Sequence, residues 1–339
     1  MSGPAVAPRD GASQEALNPD RERIRFLQSV AQERGSGLSL TEAWELLPPG
    51  SLLTAREIDE ILGDGAGRDP MAAKRAEADR SPGPPILPGS DRVDGPWVMR
   101  VRDLWEKRLG YLRPLVRCLC ITGSLAYNPI ADPKDIDVFV ATRNGALWLF
   151  LFLVFTHWRL SRRLRTTVRE VPLCLNLVVD ESEAPGLFRR LEGLLDSREA
   201  LQAIPVFGGN YFRQLLRGAP GIAAQLPRLY TRRLTQLPPQ TLGETSPEPS
   251  LARSLRLLNV LLFLPLAAYL QFTGLFRNHR YRREGRWSSI FSVRTAFHRM
   301  TFESESYRRL RLRYDRMGTP CSGLNLLRAG AFREGSPDR

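Results

Sequence analysis

Residues 118–140 decide how this chain is read. They run Cys118-Leu119-Cys120-Ile121-Thr122-Gly123-Ser124, then ten residues, then Asp135-Ile136-Asp137-Val138-Phe139-Val140. Each end is an apolar run of strand length. The interval holds Asn128-Pro129-Ile130-Ala131-Asp132-Pro133-Lys134, which is turn chemistry. Strand side chains alternate between faces, so Asp135 and Asp137 project to one side, some ~6–7 Å apart along the strand. Ile136, Val138 and Val140 take the other side and are expected to bury against helices. Two carboxylates held side by side repel one another unless a cation lies between them, and hard divalent ions prefer carboxylate oxygen. Gly123 permits close approach of the backbone after its strand, and Ser124 with its neighbouring amides is suited to phosphate oxygens.

The flanks supply the rest of a domain. Upstream, Val101, Leu104, Trp105, Leu112, Leu115 and Val116 make one apolar face that leads into the first strand. Downstream come an apolar helix over 146–160, a basic turn at 162–169 and a third strand, Leu173 to Asp180. Helical segments are expected over about 185–217. Strands separated by helices predict an α/β (α+β) domain over 97–235 with a mixed sheet. Cys118, Cys120 and Cys174 sit within the strand runs and read as small buried hydrophobes. The aromatic run Trp148, Phe150, Phe152 and Phe155 reads as helix core. With four cysteines and three histidines in 339 residues, the chain is no disulfide-stapled mini-fold, and no histidine has partners at zinc-ligand spacing.

An apolar strand, Gly-Ser, about ten residues and then Asp-x-Asp resembles the nucleotidyltransferase superfamily typified by DNA polymerase β. The order of elements is similar to that of bacterial nucleotidyltransferase-domain proteins of undefined substrate, through Arg143-Asn144-Gly145-Ala146-Leu147-Trp148, Leu173-Cys174-Leu175-Asn176 and Pro205-Val206-Phe207-Gly208. The likeness covers 97–235 well, 22–62 faintly and 251–316 weakly. It implies a minimal mixed sheet with helices on one face, and helical extensions at both ends. It also implies Asp135 and Asp137 as catalytic metal ligands for two Mg²⁺ ions, with Gly123, Ser124 and Lys134 at the triphosphate. Lys134 or an arginine such as Arg143 would neutralise phosphate charge. The activity implied is transfer of a nucleoside monophosphate from an NTP to a hydroxyl acceptor, unidentified in chemistry. In active relatives a third acid on the next strand completes the site. Here that position falls on Asn176, whose amide is a weaker ligand and no base. Asp180 shares its strand face but lies some ~13 Å further along. The alternative expectation is therefore a catalytically weakened nucleotide-binding or membrane-associated protein of the same fold.

Outside this domain the chain divides by composition. Residues 1–21 read as disordered, 22–63 as a small helical, helix-turn-helix-like region, and 64–96 as a proline- and glycine-rich linker. Within the helical region Ile24, Leu27, Val30 and Ala31 share a face, and Ser39 with Glu42 marks a helix start. A second linker at 236–250 precedes a basic helical region (251–316) and a flexible tail (317–339). The net charge is +13, and 46 of the 49 basic residues are arginines. Residues 277–316 hold 12 arginines against four acids, so the surplus gathers toward the C-terminus. Leu257 to Phe276 is a run of 20 uncharged residues bracketed by Arg256 and Arg277. That length just suffices to cross a bilayer, but Asn259, Gln271 and Thr273 within it favour a buried or peripheral helix. A contact of 257–316 with an anionic membrane is expected on charge. Nucleic acid stays open as a partner. The N-terminus has no apolar signal core, so the expected address is cytoplasmic, or peripheral to the inner face of the membrane.

Overall fold

The computed structural model describes residues 18–33, 37–48, 50–64, 96–127, 135–163, 173–237 and 253–318. The chain forms two compact units that divide between Ile86 and Leu87. That division falls inside the stretch read as a linker, most of which lies outside the described residues, as do 1–17, 238–252 and 319–339.

The first unit contains three helices, α1 (Pro19–Glu33), α2 (Leu40–Glu45) and α3 (Ala55–Asp64). Helix α1 starts three residues earlier than expected, within the segment read as disordered. Asn18 explains this, because its side-chain oxygen accepts from the Asp20 amide (3.0 Å) and Pro19 fills the first helical position. Ser39 and Glu42 close a reciprocal capping box at the start of α2, each accepting from the other's backbone amide at 3.2 Å. Ile24, Leu27, Val30, Leu46, Leu47 and Ile58 form the buried centre.

The second unit is built on six strands, β1 (Val116–Ile121), β2 (Ile136–Thr142), β3 (Leu173–Asp180), β4 (Ile204–Phe207), β5 (Phe291–Ala296) and β6 (Arg299–Ser304). They lie in the order β4-β1-β2-β3-β6-β5. Only β2 and β3 run parallel; every other pair is antiparallel, so the sheet is mixed. The helices are α4 (Pro96–Lys107), the one-turn α5 (Ser124–Tyr127), α6 (Leu147–Arg163), α7 (Ala184–Arg189), α8 (Leu194–Gln202), α9 (Gly209–Arg217), α10 (Pro220–Gln225), α11 (Pro227–Gln236), α12 (Arg253–Arg283) and α13 (Glu305–Gly318). The fold class is α+β, with helical segments before and after the central strands.

The core lies on one face of the sheet. Leu119, Ile121, Ile136, Val138 and Val140 bury there against Trp105 of α4 and Trp148 and Leu151 of α6. Phe139 points to the other face, where α7 and α9 cover it through Phe188 and Phe212, with ring centroids 5.7 and 6.4 Å away. Apolar alternation on β2 thus produces one broad core and one small aromatic cluster, with Asp137 on the same side as the small cluster.

Two expectations are corrected here. The helical segments expected over about 185–217 are α7, α8 and α9, but the strand β4 lies among them. The strand ends at Gly208, whose φ of 68° is left-handed, and a Cβ there would collide with the Arg117 carbonyl of β1. Residues 251–316 carry the expected helices α12 and α13, but between them β5 and β6 form a hairpin. Its strand β6 pairs with β3 through Leu177, Val178 and Val179. The sheet therefore extends beyond residue 235 and includes the basic region. The arginines at 294 and 299 hide the strand periodicity from a reading of charge alone.

Candidate metal centre

The Gly123 turn is joined to β2 by backbone. The Thr122 amide donates to the Asp137 carbonyl (2.8 Å), and the Ala126 amide closes the next turn on the Gly123 carbonyl (3.1 Å). Gly123 is buried and left-handed, with φ 68°. A Cβ at this position would fall within 3.0 Å of the Asp137 Cβ and 3.1 Å of its carboxyl carbon, and closer still to Oδ2. Only glycine allows the turn to wrap the carboxylate this closely. Gly123 and Asp137 are thus brought together. Ser124 opens α5 immediately beyond, as a matter of backbone position.

Asp135 is exposed, just before β2, and Asp137 is half-buried within it. In the parallel ladder Cys174 of β3 stands opposite Asp137. One ligand atom from each of Asp135, Asp137 and Cys174 lies within 4.8 Å of the others. Burial chiefly, then the two aspartates, push the Cys174 thiol up to about 12, while Arg277 of α12 pulls in the opposite direction. A protonated thiol is a poor ligand for a hard cation but a good gauge of how negative the site is.

Asn176, expected at the third ligand position, falls at a register shift. Val138 pairs with Leu175 and Phe139 with Leu177, so Asn176 is an extra residue on β3. Its Oδ1 accepts from the Cys174 Sγ at 3.1 Å, beside the cluster, and Cys174 stands opposite Asp137 in the ladder. Asp180 stays at the far end of β3, opposite Thr142, and accepts from the Gly145 amide (2.7 Å) and the Ser182 amide (3.3 Å). Arg143 follows that same far end of β2, some ~20 Å along the strand from Asp137, and cannot serve phosphates held at the acid pair. Lys134 lies outside the described residues.

Two residues escaped the sequence reading. Cys174 was hidden because its cross-strand neighbour depends on the β2–β3 register, which one sequence does not display. Arg277 comes from a helix more than a hundred residues away and stacks over Phe291 of β5 (5.0 Å). Its only sequence signal was a cation at the end of an uncharged run.

The chemistry of the donor set fits a hard divalent cation. Two carboxylates converge, a carbonyl-type oxygen is adjacent, and a guanidinium stands beyond. No further carboxylate joins this group among the described residues. Comparison with protein-family models, with curated proteins and with solved structures finds no match to this chain.

Proposed function

We propose that this chain is a divalent-cation-dependent nucleotidyltransferase that passes a nucleoside monophosphate from a nucleoside triphosphate to a hydroxyl acceptor, on a sheet of the polymerase-β type. The observation that carries the reading is the fit of Gly123 around the Asp137 carboxylate with Asp135 beside it. A small-residue turn and an acid pair side by side suit a polyphosphate bridged to cations. Asp135 and Asp137 would hold two Mg²⁺ ions. When bound, those ions neutralise the triphosphate and lower the pKa of the attacking hydroxyl. In the transfer the acceptor oxygen bonds to the α-phosphorus and the bond from that phosphorus to the bridging oxygen breaks. Pyrophosphate departs, and the hydroxyl proton passes to water or a carboxylate. Gly123 and the amides after it orient the phosphates, and Arg277 offers a fixed positive charge across the site.

A second reading is favoured by one particular. The place facing Asp137 is a thiol, the amide of Asn176 bonds to it, and Asp180 is engaged at the other end of the strand. Lacking a third carboxylate, the same pocket would bind nucleotide and transfer slowly or not at all.

Titration calorimetry with each Mg-NTP, followed by measurement of pyrophosphate release, separates the two. Binding with release supports transfer, and binding without release supports the nucleotide-binding reading. Asp135→Asn and Asp137→Asn should each weaken Mg-dependent binding at least about 100-fold; unchanged affinity would remove both readings.

A further inference from the structure

Among the described residues, more exposed large apolar side chains lie on α12 than on any other element. Leu257, Leu261, Leu264, Phe272, Leu275 and Phe276 are each 61–72% exposed. At 3.6 residues per turn these positions fall on a single stripe. The opposite side of the helix is fastened to the α/β unit by amides. Asn259, buried to 1% exposure, accepts from the Trp148 (2.7 Å) and Leu149 (3.1 Å) amides and so caps the start of α6. Gln271 donates to the Val293 carbonyl (3.0 Å), and Asn278 accepts from the Phe291 amide (3.1 Å), both on β5. Ala267, Leu270 and Gly274 bury between these anchors.

This arrangement accounts for Asn259 and Gln271 inside the 20-residue uncharged run, and it argues against a transmembrane course for the helix. A crossing helix would carry its hydrogen-bonded sheet and its neighbour α6 into hydrocarbon, where the polar surface of the unit has no partners. A helix with one face on protein and the other apolar suits the plane of an interface instead. The uncharged run measures ~30 Å at the helical rise, so the whole length would lie along the surface.

Charge decides between occupants. Helix α12 contains no Asp or Glu, and its apolar stripe is bracketed by Arg253 before it and by Arg282 and Arg283 after it, while Arg256 and Arg277 face the protein at Gly145 and Phe291. Two copies joined stripe to stripe would set arginines against arginines at both ends, in either orientation. An anionic bilayer answers both ends at once and takes the apolar stripe between them. Trp287, 57% exposed just beyond the helix, is a residue type that favours the bilayer–water boundary. From this geometry we infer that α12 docks the protein, in plane, onto the surface of an anionic membrane.

Flotation of the full-length chain with phosphatidylglycerol-containing vesicles and with pure phosphatidylcholine vesicles tests this. The chain should rise with the anionic vesicles and be released by alkaline carbonate. Salt at about 1 M should weaken the binding, because it screens charges beyond ~3 Å. Leu264→Glu with Phe272→Glu should reduce binding at least about 10-fold. Arg253→Ser with Arg283→Ser should reduce it roughly 5-fold per arginine. All four positions are exposed, so thermal melts should not move, and the arginine pair keeps the test valid if the glutamate pair misfolds. Four outcomes would overturn the inference: no flotation, flotation indifferent to both variant pairs, resistance to carbonate as for a spanning helix, or a dimer by sedimentation that the glutamates dissolve without vesicle binding.

Discussion

Strands β2 and β3 carry aspartates at both ends of their shared ladder, and the two ends treat them differently. At the far end Asp180 is 1% exposed, yet its oxygens accept from the Gly145 and Ser182 amides and the Ser182 hydroxyl (3.4 Å), with His298 at 3.5 Å. At the near end Asp135 and Asp137 stand together, more exposed, with the Cys174 sulfur among them. A buried carboxylate surrounded by donors is a structural pin. A convergent carboxylate pair is instead a place where the fold tolerates repulsion, and such places are commonly filled by a cation when the site works.

The contrast makes opposite predictions for the two ends, and the largest effect belongs to the near one. Asp135→Asn should abolish most metal-dependent triphosphate affinity while leaving the thermal midpoint unchanged or raised, because repulsion from Asp137 is relieved. Calorimetric binding and thermal melts on the same samples read both quantities. A fall in stability to match the loss of binding would make the pair structural and erase the contrast.

Asp180→Ala should behave in the reverse sense. It removes the acceptor of the half-buried Gly145 amide and of the exposed Ser182 amide and hydroxyl, at a cost of about 1–3 kcal/mol in stability by denaturant unfolding. Triphosphate affinity, measured where the variant is still folded, should not change. Gly123→Ala falls between the two. A left-handed φ costs a non-glycine residue ~1–2 kcal/mol, and the new methyl must displace the Asp137 carboxylate. Stability should fall by that modest amount while binding falls as far as in Asp137→Asn. If Gly123→Ala binds normally, the turn does not shape the site.

How much of this was legible in the sequence varies with the range of the interaction. The strands around Gly123 and Asp135-Ile136-Asp137 are readable because alternation is local, and Ile136, Val138 and Val140 bury as their spacing implies. The turn at Gly123 and the capping box at Ser39 are likewise short-range. What escaped reading depends on register and on contacts between distant segments. Cys174 faces Asp137, and Asn176 becomes an extra residue, only through how two parallel strands slide past one another. The β5–β6 hairpin was masked by its arginines, although Phe291, Val293 and Met300 alternate with polar residues there. Asn259 read as a blemish in an apolar helix and turned out to cap another helix more than a hundred residues away.

Glu57, in the helical unit, sharpens the comparison with the smallest effect, for it is a carboxylate compensated by donors while still reached by solvent. The Thr54 amide (2.8 Å) leads, followed by Arg21 (2.8 Å) and the Thr54 hydroxyl (2.9 Å), and together they hold its carboxyl down to about 2 from 4.5. Because the folded pKa lies below the unfolded one, the stabilisation is fully present above pH ~4.5 and is lost as the pH falls toward about 2. Carbon-detected titration of the Glu57 carboxyl in the full chain should give a midpoint near 2. Arg21→Ala should move that midpoint only part of the way back, since the Thr54 amide remains. A return all the way to the ordinary value would mean that the ion pair, and not the helix cap, sets the charge state. Donors would then matter less than charges in this series of carboxylates, and Asp180 would need to be reread on the same terms.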